Sequence, residues 1–273
     1  MSKVDNQVNY LDYKSVNGSL EKLSKLVVDA LENVGYIIVQ NFDTDVENVE
    51  MSGNDFLKIS EMVGEPIPHA GNDTIIWDIK SNPKSNSFIK TYSEHSHEAE
   101  LHTDSQYSFY PEDYFGLLTL KKAECGGGIS YLLKLQDILD ELRALPNGNE
   151  IERLLTETDY PFIVPNVFKK EASEEHEFNF GPILREKEIR FRIDTFEKAL
   201  KFKRDMCSEE QIEAYEVLKN IILTTSKTQT LFLESKDLIF INNKTMLHGR
   251  GEFTDEKRHL LRIRMNKKNA KLK

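Results

Sequence analysis

Leu101-His102-Thr103-Asp104 and, far downstream, Met246-Leu247-His248-Gly249-Arg250 are the stretches that decide how this chain folds and what it can hold. In an extended strand residues two apart point to the same side, so His102 and Asp104 can reach one ion. A third ligand from His248 would place two imidazoles and one carboxylate on one face of a metal and leave its other positions open, the arrangement favoured by non-haem Fe(II) oxygenases. A lone His-x-acid pair arises readily by chance in a chain with seven histidines and 46 acidic residues, so support has to come from the rest of the sequence.

The neighbouring histidines suggest a rival that fails on spacing. In His97-Glu98-Ala99-Glu100-Leu101-His102 the histidines lie five apart, whereas a helical HExxH zinc motif needs four to align them on one face. His95 and His97 read as loop residues. Downstream, Phe115 to Leu120 is a strand, and Cys125-Gly126-Gly127-Gly128-Ile129-Ser130-Tyr131-Leu132 is a glycine-rich turn leading into another. That turn lacks the Lys-Ser/Thr of a P-loop and the GxGxxG spacing, and allows close backbone approach beside Ser130.

Composition narrows the function. A formal charge of −10 argues against a surface that tracks phosphates, so no nucleic-acid partner is expected, and the short basic tail Lys267 to Lys273 reads as a solvated end. Cys125 and Cys207 are too few for a disulfide framework or a thiolate zinc site and suit a reducing compartment. The N-terminus has no apolar signal core, and no stretch approaches the roughly eighteen apolar residues of a membrane span. A cytoplasmic protein acting on a small molecule, without a membrane partner, is expected.

Helical spacing of Leu20, Leu23, Val27, Ala30, Leu31 and Val34, closed by Gly35, predicts a helix that feeds a buried strand at Tyr36 to Gln40. A second helix is expected from Asn54 to Val63, then a strand at Thr74 to Ile79 that carries Trp77 as a core residue. Lys134 to Leu145 and Asn149 to Glu157 read as a mainly helical insertion, about 134–157, within one domain spanning 1–273. Thr158 to Phe168 is extended, Glu171 to Glu177 exposed, and Gly181 to Leu184 a strand. Glu188 to Asp194 alternates Ile189, Phe191 and Ile193 with Arg190, Arg192 and Asp194, which predicts a strand with one charged face. Ser208 caps a helix to Leu223, and strands follow at Thr230 to Leu233, Leu238 to Ile241 and Leu260 to Met265, with Asn242-Asn243 turning the chain toward His248.

The order His102-x-Asp104, Gly-Gly-x-Ser at Ser130, His248-Gly249-Arg250 and then Arg258-His259-Leu260-Leu261-Arg262 resembles the taurine dioxygenase and clavaminate synthase-like group of Fe(II)/2-oxoglutarate oxygenases. The resemblance runs from about Leu20 to Asn266 and lies in the combination of motifs. It implies a mainly β fold with flanking helices, a double-stranded β-helix of the jelly-roll, cupin-like kind. It implies that His102, Asp104 and His248 hold iron, that Arg262 binds the distal carboxylate of 2-oxoglutarate with help from Ser130, and that Arg258 is a further cosubstrate-side arginine. A guanidinium fork and a hydroxyl suit a carboxylate, which agrees with that assignment.

The implied reaction uses Fe(II), 2-oxoglutarate and O2, releases succinate and carbon dioxide, and hydroxylates an unactivated C–H bond of a small polar metabolite such as an amino acid or amine. Asp104 argues against the halogenating branch, where a small residue leaves room for chloride. Desaturation and cyclisation by the same family remain open, as do a cupin-like metal-binding protein and a zinc hydrolase, since zinc also accepts three such ligands. Neither of the last two needs Arg262 and Ser130. For the substrate side, Glu98, Glu94 and Asp194 suggest a negative wall suited to a cationic amino acid or amine, with Arg192 available for a carboxylate.

Overall fold

The computed structural model describes residues 9–69, 73–80, 96–165 and 176–268. A short edge strand, β1 (Tyr10–Asp12), precedes α1 (Leu20–Asn33), which begins where the Ser19 hydroxyl accepts the Lys22 N–H and buries Leu23, Val27, Ala30 and Leu31. Gly35, at φ 97°, then turns the chain into β2 (Tyr36–Gln40). α2 (Val49–Val63) starts ahead of the expected Asn54 because the Asn48 side chain caps it, accepting from the Met51 N–H.

The chain continues through β3 (Glu65–Ile67), β4 (Trp77–Ile79), β5 (Ala99–His102), β6 (Tyr114–Lys121) and β7 (Ser130–Lys134). α3 (Leu135–Arg143) and α4 (Gly148–Glu157) follow, then β8 (Tyr160–Ile163), β9 (Phe178–Gly181), β10 (Leu184–Arg185), β11 (Glu188–Ile189) and α5 (Ile193–Lys203). α6 (Glu209–Thr224) opens on a capping box between Ser208 and Gln211, and β12 (Gln229–Leu231), β13 (Leu238–Asn242), β14 (Met246–Arg250) and β15 (His259–Asn266) complete the order.

Seven strands form a major sheet in the order β1-β2-β13-β6-β15-β3, with β4 also against β15, and four form a minor sheet, β12-β7-β14-β5. Strand periodicity assigns their faces. Ile38, Phe115, Ile239 and Ile241 of the major sheet meet Leu132, Leu231 and Met246 of the minor sheet in a shared core. The alternate residues Leu118, Leu238, Phe240, Leu261 and Ile263 pack outward against α1 and α2. On the far side Leu133 and Leu247 turn outward into a cluster with α3, α4 and α6. Both faces of each sheet are therefore covered, which is why the strands read as continuous apolar runs. Two facing antiparallel sheets sheathed by helices make the double-stranded β-helix, or jelly roll. Among the described residues no helix is long and apolar enough to cross a membrane.

Three expectations are revised. The strand expected from Glu188 to Asp194 stops at Ile189, because Arg192 becomes the N-cap of α5 and Phe191 is tied to Thr103 by bonds of 2.8 and 3.0 Å in both directions. The charged face expected there is not solvated: Arg190 is buried, stacked 4.3 Å from the Phe162 ring and bonded to the Pro182 and Ser108 carbonyls. Trp77 is half-buried on β4 and stacks on His69 at 4.1 Å instead of entering the core. His95, Glu94, and the exposed stretch expected over Glu171–Glu175 lie outside the described residues.

Candidate metal centre and active site

His102 ends β5 and His248 is central in β14, and the two are direct cross-strand partners, with ring centroids 4.2 Å apart. The pairing slips beyond them, so that Arg250 opposes Ala99 while His248 opposes His102. This bulge lets both Ala99 and His102 face the cavity although they are three residues apart. Asp104 lies past the strand end, so its approach rests on more than strand parity. Its N–H donates to Asn243 Oδ1 at 2.8 Å, and Asn243 Nδ2 donates to the carbonyls of Asp104 and Glu112, both at 3.1 Å. Asp104 then lies 3.9 Å from the Nε2 of each histidine, and one ligand atom from each of the three residues falls within 4.8 Å of the others.

The donor set fits a divalent metal. His102 Nδ1 lies 2.8 Å from the Glu100 carbonyl, a bond it makes as donor, which leaves Nε2 bare toward the cluster. The His248 ring is held instead by Phe115, whose centroid is 4.5 Å away. Burial, and then the charge of its neighbour, pushes the His102 pKa well below the ordinary 6.5, and burial takes His248 to about 4. Both rings are therefore neutral ligands at pH 7. Burial alone would raise the Asp104 carboxyl, but Arg262 and the two imidazoles hold it below the usual carboxylate value, so it is ionised. Neutral imidazoles and an ionised carboxylate are the forms that bind iron.

These ligands sit in a cleft of about 1000 Å³, open mouth included, that lies between the two sheets. Phe115, Leu117 and Leu260 make its apolar side. Three arginines enter from or beside β15 at different levels. Arg264 is buried against Glu112 at 3.4 Å and donates to the Pro68 carbonyl at 2.9 Å. Arg262 donates to Asp104 Oδ2 at 3.1 Å and approaches His69 Nε2 at 2.9 Å. Arg258 is buried, with 7% exposed, lies over the Phe253 ring at 5.0 Å, and meets no carboxylate among the described residues. Burial, with Arg250 beside it, pulls its pKa down to about 9, so it remains a cation at neutral pH.

Arg262 and Ser130, expected to act together, both line the cleft: Arg262 is engaged with a metal ligand, while Ser130 borders, with Arg258, both the main cleft and a smaller one beneath the glycine turn. Gly128, at φ 71°, brings the turn close enough that a Cβ there would lie 3.1 Å from Arg258 Nε. Glu98 is exposed and does not line the cleft, and Asp194 is forked by Arg192 at 2.6 and 3.0 Å, so the expected negative wall is not built by these two. Arg192 itself does line the cleft. Sequence reasoning missed Asn243, His69 and Gln106; the pair Asn242-Asn243 ahead of a strand carrying a ligand was the one available signal.

Solved structures share this architecture. An asparagine oxygenase in complex with Fe(II), 3-hydroxyasparagine and succinate aligns with a TM-score of 0.70 at 16% identity, covering 90% of this chain and 79% of that one. The non-heme iron oxygenase OrfP in complex with Fe and alpha-ketoglutaric acid aligns at 0.66 and 16%, over 96% and 94%. The PvcB protein from Pseudomonas aeruginosa aligns at 0.65 and 15%, over 95% and 87%. At such identities the likeness concerns the fold. No curated protein sequence matches the chain. The family model for taurine catabolism dioxygenases matches residues 4–264, and with His102, Asp104 and His248 gathered at the open end of its jelly roll the chain belongs to the TauD, TfdA family.

Proposed function

We propose that the protein is a 2-oxoglutarate-dependent dioxygenase that hydroxylates an unactivated C–H bond of a small amino acid, consuming O2 and releasing succinate and carbon dioxide. The observation that carries this is the convergence of His102, Asp104 and His248 in a cleft that also holds the buried Arg258 guanidinium, beside which no carboxylate stands among the described residues. A buried cation without an anion is costly, and a ligand carboxylate relieves it.

Iron bound at the triad supplies the place where keto acid and oxygen meet. The chain's own residues do the positioning. Ser130 lies two residues from Leu132, the cross-strand partner of His248, hence roughly 7 Å along the strand from the level of the metal. Ser130 and Arg258, which line the same cleft wall, would hold the far carboxylate of a keto acid bound at the triad. Arg262 is engaged with Asp104 Oδ2 and His69, a position that suits it to steadying the metal end. We therefore assign the distal carboxylate to Arg258 with Ser130, and Arg262 to the metal end. Phe115, Leu117 and Leu260 keep water from the reacting side.

Purified protein with Fe(II), 2-oxoglutarate and a panel of amino acids should release succinate, followed by mass spectrometry, with an amino acid gaining one oxygen atom in step. No iron-dependent succinate with any amino acid, or the same turnover with zinc and without oxygen, would reject the function. The related asparagine and OrfP oxygenases, whose complexes contain hydroxylated asparagine and arginine, support an amino acid as the substrate class.

A further inference from the structure

The functional reading above leaves open how the amino acid is recognised, and one buried amide in the cleft wall bears on that. Gln106 is 2% exposed and lines the cleft two residues after the ligand Asp104. Ser105 between them adopts φ 51°, in the left-handed region, and with that twist both of its neighbours face the cleft. The next residues are pinned: Asn179 Nδ2 donates to the Tyr107 carbonyl at 2.7 Å, and Arg190 Nη1 to the Ser108 carbonyl at 3.2 Å. Gln106 therefore stands on a fixed backbone. Its Nε2 donates to Thr195 Oγ1 at 2.7 Å, and the Thr195 hydroxyl gives its one proton to the Arg192 carbonyl at 3.2 Å. A hydroxyl whose proton is committed only accepts, so the amide is not turned end for end, and Oε1 is held toward the cleft. Among the described residues Oε1 meets no donor.

Among the described residues three side chains bring a carboxylate or amide group to the cleft. Asp104 goes to the metal, and Glu112 is paired with Arg264 at 3.4 Å. That leaves Gln106 Oε1, a fixed acceptor in a partly dehydrated wall, and such an oxygen costs free energy until a donor meets it. The strongest donor on an amino acid is its ammonium, because a charged N–H makes a shorter and stronger bond than a neutral one. Resting on the proposed oxygenase function, we infer that Gln106 is a specificity residue, whose Oε1 accepts a hydrogen bond from the free α-ammonium of the substrate on the Asp104 side of the centre. The class it selects is amino acids with an unmodified amine. An analogue with hydrogen in place of the ammonium leaves Oε1 unpaired, and a site built around a hydrogen bond rejects the molecule that lacks it more strongly than a pocket rejects a missing methylene. Thr195 acts one step back, as the positioning residue that fixes which end of the amide the substrate meets.

Calorimetric titration under nitrogen of the protein loaded with Fe(II) and 2-oxoglutarate compares each common L-amino acid that has a primary ammonium with its des-amino acid, the same molecule with hydrogen in place of that group. An amino acid that binds should do so at least about tenfold more tightly than its des-amino partner. In Gln106→Met, which keeps the length and loses the amide, the ratio should fall toward one, through weaker binding of the amino acid. In Gln106→Glu, which sets a charged acceptor in the same place, it should widen. A melting curve on each variant reports its folding. A Gln106 that serves only to tie its loop to α5 would weaken both partners alike and leave the ratio where it was. A wild-type ratio near one, an unchanged ratio in a folded Gln106→Met, or an unchanged or smaller ratio in Gln106→Glu overturns the assignment, and Gln106→Glu decides it if Gln106→Met does not fold. Binding of none of the amino acids would overturn the proposed function, and this assignment with it, whereas a failed ratio among amino acids that do bind overturns this assignment alone.

Discussion

Asn243 shows what a single buried amide does for the centre. It is 1% exposed and spends both ends on the backbone of Asp104, with a further bond to the Glu112 carbonyl. Asn243→Ala removes the partner of one N–H and two carbonyls, and unmet buried groups cost about 1–3 kcal/mol each in the worst case. The expected outcome is a folded but less stable protein whose iron affinity drops by at least about tenfold; an iron titration with wild-type affinity would show that Asp104 needs no such clasp. The histidines set the pH response. His248 has a folded-state pKa of about 4 against an ordinary 6.5, and His102 is lowered in the same sense. Between those values the unfolded chain binds protons that the folded chain refuses, so stability rises with pH across the window and is lost as acid approaches 4. Asp104, held low, adds loss in the same direction at lower pH. Urea melts of chelator-treated protein should therefore weaken from pH 6.5 toward pH 4, by on the order of 3 kcal/mol for His248, and a flat profile would contradict the neutral-imidazole site.

At the scale of elements, the pairing of β5 with β14 is what puts the imidazoles face to face. Gly249 is the tight point: a Cβ there would meet the Ala99 carbonyl oxygen at 2.8 Å and the Glu100 carbonyl carbon at 3.3 Å. Backbone cannot yield as a side-chain tip can, so Gly249→Ala should prise β5 from β14, cost about 1–3 kcal/mol of stability and weaken iron binding together. Ser208→Ala, which removes the cap of α6 away from the centre, should cost about 1 kcal/mol and leave iron binding alone. If both variants lose stability but neither loses iron, the β5–β14 contact does not govern the site. The same elements explain what could be read in the sequence. His102, Asp104 and His248 were legible because their residue types and strand context restrict them strongly, and the strands around them because both faces are apolar. The level of each arginine was not. Leu260, Arg262 and Arg264 share one parity on β15, and only the assembled fold sets Arg262 against Asp104 and brings Arg258 to the same cleft wall as Ser130. Asn243 and His69 come from connections with no periodicity, so nothing local marked them as parts of the site.

Across the whole molecule, the centre spans the two sheets. Two of the three ligands belong to strands of the minor sheet, β5 and β14, and the third follows β5, whereas Arg258 directly precedes β15 of the major sheet and Arg262 belongs to its body. A keto acid chelated on one side and anchored at Arg258 on the other would tie the sheets together, and a ligand that binds only the folded state at about 100 times its Kd adds about 2.7 kcal/mol. For a chain of this length that amounts to roughly 5–10 °C in melting temperature. Iron alone should raise the melting temperature, and 2-oxoglutarate should raise it again by that increment. Arg258→Gln should keep the iron step and lose most of the 2-oxoglutarate step, because its guanidinium touches no metal ligand. Arg262→Gln should shrink the iron step instead, since Asp104 loses the cation that holds its carboxylate. Anaerobic melting curves of the two variants with iron, then with iron and 2-oxoglutarate, separate the roles. Loss of the 2-oxoglutarate step in Arg262→Gln with its retention in Arg258→Gln would return the distal carboxylate to Arg262.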